Sequence, residues 1–215
     1  MRAWSTTLRG PVRRQTIIRA VLGLVLVVAL VWALPVRRPG ESGGRHHAPE
    51  QELDAFERAG VVELKDGQRG PAFRLAKFDG GTATLDQWRD KLVILNFWAT
   101  WCQPCTLEMP ALEALWTRFR DRGLVVVGIS VDRGAPRAIL EPYLDNLRLT
   151  FPIVLDPDLE TAGKWRVTAL PATFIVKPGG DVVGFAVGPR EWNSPEMVAL
   201  LEPMLPGAGT NHRHR

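Results

Sequence analysis

The sequence predicts an α/β domain with a central mixed sheet flanked by helices, carried behind one apolar segment long enough to cross a membrane. Three observations carry that reading. Residues 92–131 read as strand, helix, strand; residues 168–187 read as a two-stranded hairpin; residues 20–34 form an unbroken apolar run. An apolar strand that returns to its own sheet through a helix is a parallel crossover buried on both faces, and the hairpin adds an antiparallel pair.

The apolar run Ala20–Leu34 comes first, and Thr16-Ile17-Ile18 extends it across Arg19 to about the length a bilayer requires. Five arginines precede it (Arg2, Arg9, Arg13, Arg14, Arg19) and Arg37-Arg38 follow. The excess of positive charge on the N-terminal side predicts residues 1–15 as a cytoplasmic basic region and 16–36 as a transmembrane signal-anchor helix. Residues 37–59 are then an extracytoplasmic linker, and the catalytic domain lies outside the cytoplasm. Arg19, near one end of the span, can snorkel to the interface. A cleaved signal peptide has the same layout, but the surroundings of Trp32 and Pro35 offer only a poor small-x-small cleavage site, so an uncleaved anchor is the reading adopted.

Charge follows the same division. The net charge of +4 over 215 residues comes from residues 1–48, which hold eight Arg against the single acid Glu41. The rest holds 19 of the 27 basic and 22 of the 23 acidic residues, a mildly acidic body without the basic stripe that nucleic-acid binding needs. With 46% hydrophobic residues, eight Trp and eight Phe, the chain can bury one ordinary core.

Within that body, residues 50–59 predict a short helix, and the domain proper begins near Gly60 and runs to 205, leaving 206–215 as a polar tail. Phe73–Phe78 and Thr82–Leu85 flank Asp79-Gly80-Gly81 and read as two short strands joined by a turn. Lys91–Trp98 predicts a buried strand. Leu107, Leu112, Leu115, Trp116 and Phe119 recur at helical spacing, so a helix runs from Cys102 to about Arg122, with Pro110 expected to kink it and Gly123 to end it. Leu124–Val131 is a second buried strand, and Ala135–Leu147 a second helix. Thr168–Val176 and Val182–Val187 form a hairpin about the turn at 177–181. Ser194 then caps a closing helix with Pro195 in its first turn.

At the junction of the first buried strand and the first long helix stand the chain's two cysteines, Cys102 and Cys105, in Trp-Cys-Gln-Pro-Cys. A cysteine at a helix N-terminus faces unpaired N–H groups and the positive end of the helix dipole, which stabilise the thiolate. Cys102 is therefore the candidate nucleophile. Cys105, one turn on, is placed to resolve a mixed disulfide. Structural zinc would need two further ligands, and His46, His47, His212 and His214 all lie in the tails. A purely structural disulfide would close too short a loop to constrain the unfolded chain much.

Three blocks resemble the membrane-anchored TlpA/ResA/CcmG-type thiol–disulfide oxidoreductases of the thioredoxin superfamily. They are Gly70-Pro71-Ala72-Phe73-Arg74-Leu75 with Asp79-Gly80-Gly81, Asn96 to Pro110, and Val167 to Val176. The resemblance implies a thioredoxin-like fold with an N-terminal extension and a central insertion. It implies that Pro171 is a cis-proline opposite the cysteines, leaving the backbone of Leu170 free to pair with a docked strand. Glu108, which taken alone reads as a solvated helix charge, would sit on the cysteine side of the helix and relay protons. Asn96 stands where ordinary thioredoxins carry a buried acid, so Glu108 is the nearby acid–base group that remains. Trp98, Trp101 and Pro104 would shape the site. Ala169-Leu170 departs from the glycine often found before the proline.

The implied activity is reduction of client protein disulfides on the periplasmic side of a bacterial cytoplasmic membrane. Gln103-Pro104 lacks the histidine of strongly oxidising relatives, which favours a reductant. Implied partners are a DsbD/CcdA-type membrane electron donor and, as clients, apocytochrome c during cytochrome c maturation or a copper-site protein of a respiratory oxidase. No cofactor, resident metal or oligomer is required. The rival reading is a binding protein whose two thiolates hold copper(I), although Met109 is the only adjacent soft ligand it would have.

Overall fold

The computed structural model describes residues 14–33, 54–134 and 136–207. The chain divides into two compact units, Met1–Gln51 and Glu52–Arg215. In the first, α1 (Arg14–Ala33) covers most of the predicted anchor, and the side chains of Val21, Leu22 and residues 24–28 are at least half exposed. Side chains of α1 are described for Arg19 and residues 21–29, and among the described residues no helix is long and apolar enough to cross a membrane. The basic region before residue 14, most of the linker, all four histidines and the end of the tail lie outside the described residues.

The second unit is built on one eight-stranded mixed sheet of order β1-β8-β7-β4-β5-β6-β2-β3. Its strands are β1 (Val62–Arg69), β2 (Arg74–Lys77), β3 (Thr82–Thr84), β4 (Leu92–Trp98), β5 (Leu124–Ser130), β6 (Ile153–Leu155), β7 (Ala172–Val176) and β8 (Asp181–Val187). Every residue of β4 and β5 is buried, as their largely apolar sequences require, with Asn96 and Ser130 the polar exceptions, and the two pair in parallel from Leu92–Leu124 to Trp98–Ser130. β7 joins β4 antiparallel on the other side and forms the predicted hairpin with β8. Gly128 in β5 is a packing requirement, because a Cβ there would stand 2.7 Å from Ile153, 2.9 Å from the Trp98 indole nitrogen and 3.1 Å from Phe151.

The helices of this unit are α2 (Ala55–Arg58), α3 (Gln103–Phe119), α4 (Pro136–Leu147), α5 (Glu160–Lys164) and α6 (Pro195–Leu201). α3 carries Pro110 in its interior, passes into a 3-10 turn at Arg120–Arg122 and ends at Gly123, whose φ of 88° only glycine adopts freely. The Ser194 hydroxyl caps α6 by accepting from the Met197 N–H at 3.2 Å.

Four elements depart from the sequence prediction. β1 is a polar edge strand against β8 with no apolar alternation to announce it, and its register shifts between Glu63 and Gln68. β6 and α5, three and five residues long, are too short for periodicity to show. The strand predicted from Thr168 starts only at Ala172, because Pro171 has no N–H for the ladder; the Leu170–Pro171 bond is cis, as the resemblance implies. Residues 168–170 therefore lie outside the sheet, where they wall the site described next.

Candidate active site

β4 delivers the chain to the site and α3 receives it. Beyond the last β4–β5 pair, the Val131 N–H still donates to Trp98 O at 2.9 Å, so the sheet holds the backbone up to the turn. The Cys102 N–H then donates to Ala99 O at 3.1 Å and closes a four-residue turn. Cys102 is the N-cap of α3, its sulfur accepts from the Cys105 N–H at 3.3 Å, and the two cysteines form a disulfide. Cys105 is fully buried, whereas Cys102 keeps 6% exposure. The sulfur open to an incoming disulfide is thus the one at the helix N-terminus, as its sequence position predicts.

Cys102 opens on a cleft of about 1040 Å³ walled by Trp101, Pro104, Ile139, Leu159, Val167 and Leu170. Trp101 is 71% exposed on the rim, and Pro104 and Leu170 stand where the resemblance puts them. α5 supplies part of the far wall. Its start is fixed by buried Asp156, which accepts from the Thr161 and Ala162 N–H groups at 3.1 and 2.8 Å. Pro171 is tied back into the sheet, its carbonyl accepting from the Gly188 N–H at 2.9 Å, while Leu170 stays outside the ladder.

Trp98 does not wall the cleft. It is fully buried on the sheet side, stacked on Tyr143 of α4 with ring centroids 5.0 Å apart. The strand's alternation explains the correction: a side chain at the end of a strand buried on both faces points into a packed layer, and only beyond the strand does Trp101 turn outward. Tyr143 joins this layer to the active turn, since its hydroxyl lies 2.9 Å from the Thr106 hydroxyl, which reaches Cys102 O at 3.4 Å. Burial pushes the Tyr143 phenol up.

Glu108 is not a solvated helix charge. It is 2% exposed, on the sheet side of α3 one turn beyond Cys105. Oε1 accepts from Asn96 Nδ2 at 2.7 Å; Oε2 accepts from the Trp192 indole N–H at 3.0 Å and the Arg190 backbone N–H at 3.1 Å. Burial pushes its carboxyl above the ordinary glutamate range, and the hydrogen bonds from Trp192, Arg190 and Asn96 offset part of that rise. All three donate to the carboxylate, while Asn96 Oδ1 is buried without a hydrogen-bond partner. Asn96, fully buried, also donates to the Thr173 hydroxyl at 2.8 Å and is fixed between β4, β7 and α3.

Asn96 and Glu108 were legible in the sequence, but Arg190 and Trp192, more than eighty residues away, carried no local signal. Asp132 was also missed. It lines the cleft and is 3% exposed. Its signal was topological, since it follows a buried parallel strand at the same end of the sheet as the cysteines, where α/β folds collect ligands.

Comparison with known proteins agrees with this geometry. A profile of the AhpC/TSA family matches residues 67–184. The chain is 28% identical over 181 residues to the thiol-disulfide oxidoreductase ResA of Oceanobacillus iheyensis, covering 79% of this chain and 80% of that protein. It is 32% identical over 130 residues to ResA of Bacillus subtilis, covering 60% and 72%. A solved thioredoxin-family thiol:disulfide interchange protein from Chlorobium tepidum superposes with a TM-score of 0.55 at 26% identity, over 62% of this chain and 95% of that one. With the dithiol at a helix N-cap beside a cis-proline on a mixed thioredoxin-like sheet, the chain belongs to the AhpC/TSA family, and within it to the ResA-like thiol–disulfide oxidoreductases.

Proposed function

We propose that this oxidoreductase is anchored in a bacterial cytoplasmic membrane by α1 and works on the periplasmic side as a reductant of client disulfides. The observation that carries the reading is the asymmetry of the dithiol, with Cys102 on an apolar cleft and Cys105 buried behind it on the helix that carries Glu108. In reduced protein the Cys102 thiolate attacks a client disulfide, forming a mixed disulfide and releasing one client thiolate. Cys105 then attacks the Cys102 sulfur, the second client thiolate leaves, and the Cys102–Cys105 disulfide of the present structure results. Glu108 accepts the Cys105 proton as that thiol becomes a nucleophile.

The apolar, outward-facing side chains of α1 and the arginines before it support the anchor. An apolar cleft beside an accessible sulfur suits an extended client segment laid along Leu170. Apocytochrome c and a copper-site protein of a respiratory oxidase are the clients proposed, with a DsbD/CcdA-type carrier restoring the dithiol. Full-length protein carrying Cys105→Ser, mixed with oxidised apocytochrome c, should accumulate a mixed disulfide at Cys102. Titration of the wild type should give a reduction potential of about −220 mV or lower. A potential near −120 mV would make it a disulfide donor, reversing the proposed electron flow. Absence of any mixed disulfide, with copper(I) still held and delivered, would favour the binding-protein reading.

A further inference from the structure

We propose that Asp132 is a positioning residue for disulfide exchange, holding the turn from Ala99 to Cys102 so that the attacking sulfur stays at the helix N-cap. This rests on Cys102 being the attacking thiol.

The turn raises a problem that its own backbone does not solve. The Cys102 N–H is spent on Ala99 O, which leaves the Thr100 N–H inside the turn without a backbone acceptor. Thr100 is only half exposed at most, so an unpaired donor there costs free energy. Asp132 answers it from the neighbouring strand end. The Thr100 N–H donates to both carboxylate oxygens at 3.2 and 3.1 Å, and the Thr100 hydroxyl donates to Oδ1 at 2.7 Å. The Ser130 hydroxyl donates to Oδ2 at 2.9 Å and accepts from the Asp132 N–H at 3.2 Å, which fixes the carboxylate in turn.

The arrangement is costly unless it does something. A carboxylate that is 3% exposed has lost most of its hydration, and every hydrogen bond it accepts goes to the turn or to the strand end that orients it. The turn so held carries two groups the reaction uses: Trp101 on the cleft rim and Cys102 at the cap. Asp132 itself lines the same cleft. The β4–β5 ladder ends at Trp98–Ser130, so beyond it the backbone bond from Val131 to Trp98 and this carboxylate carry the order of the sheet into the active turn. Exchange is sensitive to sulfur placement, since a misplaced nucleophile loses rate without losing substrate affinity.

The test is single-turnover reduction of a peptide disulfide by the reduced full-length protein, together with amide hydrogen exchange. In Asp132→Ala the maximal rate should fall about tenfold or more, with half-saturation unchanged within about twofold, and the Thr100 amide should lose protection. Asp132→Asn, which keeps an acceptor for the Thr100 N–H, should recover most of the rate and the protection. An unchanged rate in folded Asp132→Ala overturns the proposal, as does a loss expressed only in half-saturation or an Asp132→Asn variant no better than the alanine. If Asp132→Ala does not fold, Thr100→Val and Ser130→Ala each remove one donor and should slow the reaction about threefold; full rates in both overturn it. Alkylation of the reduced protein separates the two claims: labelling first at Cys105 defeats the assignment of the nucleophile, whatever Asp132 does.

Discussion

In front of Cys102 the chain sets Trp101, Pro104, Ile139 and Leu170 around an open cleft, whereas on the sheet side of the same helix it sets Glu108 among the N–H groups of Asn96, Arg190 and Trp192. The front is apolar, partly exposed and assembled from loop residues together with the starts of α3, α4 and α5. The rear is polar, buried and assembled from β4, α3 and the segment after β8. A client needs a surface that adapts to it, and loops around a cleft can vary without disturbing the core. A carboxyl that is to move protons needs fixed partners and no competing water, and only packed elements supply those.

Two tryptophans three residues apart test this contrast most directly. Trp98→Ala in the rear layer should lower unfolding free energy by about 3–5 kcal/mol, since it empties a packed site against Tyr143 and Gly128. Urea unfolding of the oxidised protein measures it, and a loss below about 1 kcal/mol would mean that the rear is no more rigid than the front.

Glu108→Gln sharpens the rear face alone. Resolution by Cys105 should slow about a hundredfold while formation of the mixed disulfide at Cys102 stays near the wild-type rate. Stability should change with pH in a defined sense. Burial raises the Glu108 carboxyl above its value in the unfolded chain, so the folded state holds the proton more tightly. Wild-type stability should then fall relative to the glutamine variant as pH rises from the ordinary glutamate range through the raised value, and level off above it. Parallel urea midpoints for the two proteins from pH 4 to pH 8 would contradict that environment for Glu108.

Trp101→Ala, on the front, should have the smallest effect on stability, within about 0.5 kcal/mol, because the residue is 71% exposed. Its consequence should appear as a higher half-saturation for a peptide disulfide at an unchanged maximal rate. A large fall in unfolding free energy would erase the distinction between the two faces.

Local pattern made much of the fold legible. β4 and β5 announce themselves as largely apolar runs, α3 by its spacing and Gly123, and the β7–β8 hairpin by its Pro-Gly-Gly turn. β1, β6 and α5 were not legible, since an exposed edge strand and elements of three to five residues have no periodicity to read. The site divided in the same way. Cys102, Cys105 and Pro104 are fixed by contiguous sequence, whereas the resemblance that implies a cleft-wall Trp98 does not tell which face of the strand end is covered, and Trp98 is fully buried.

By itself, then, the sequence determined the chemistry: two cysteines at a helix N-terminus behind a buried strand, where backbone N–H groups stabilise a thiolate, with an acid one turn further on. The tertiary structure decided the environments. It buried Glu108 against donors 82 and 84 residues away, turned Trp98 inward and Trp101 outward, and brought Asp132 across from the neighbouring strand to hold the turn. The physical reason is range. Helix caps and strand periodicity act over a few residues, whereas desolvation and hydrogen-bond partnership depend on which distant segments pack against a side chain.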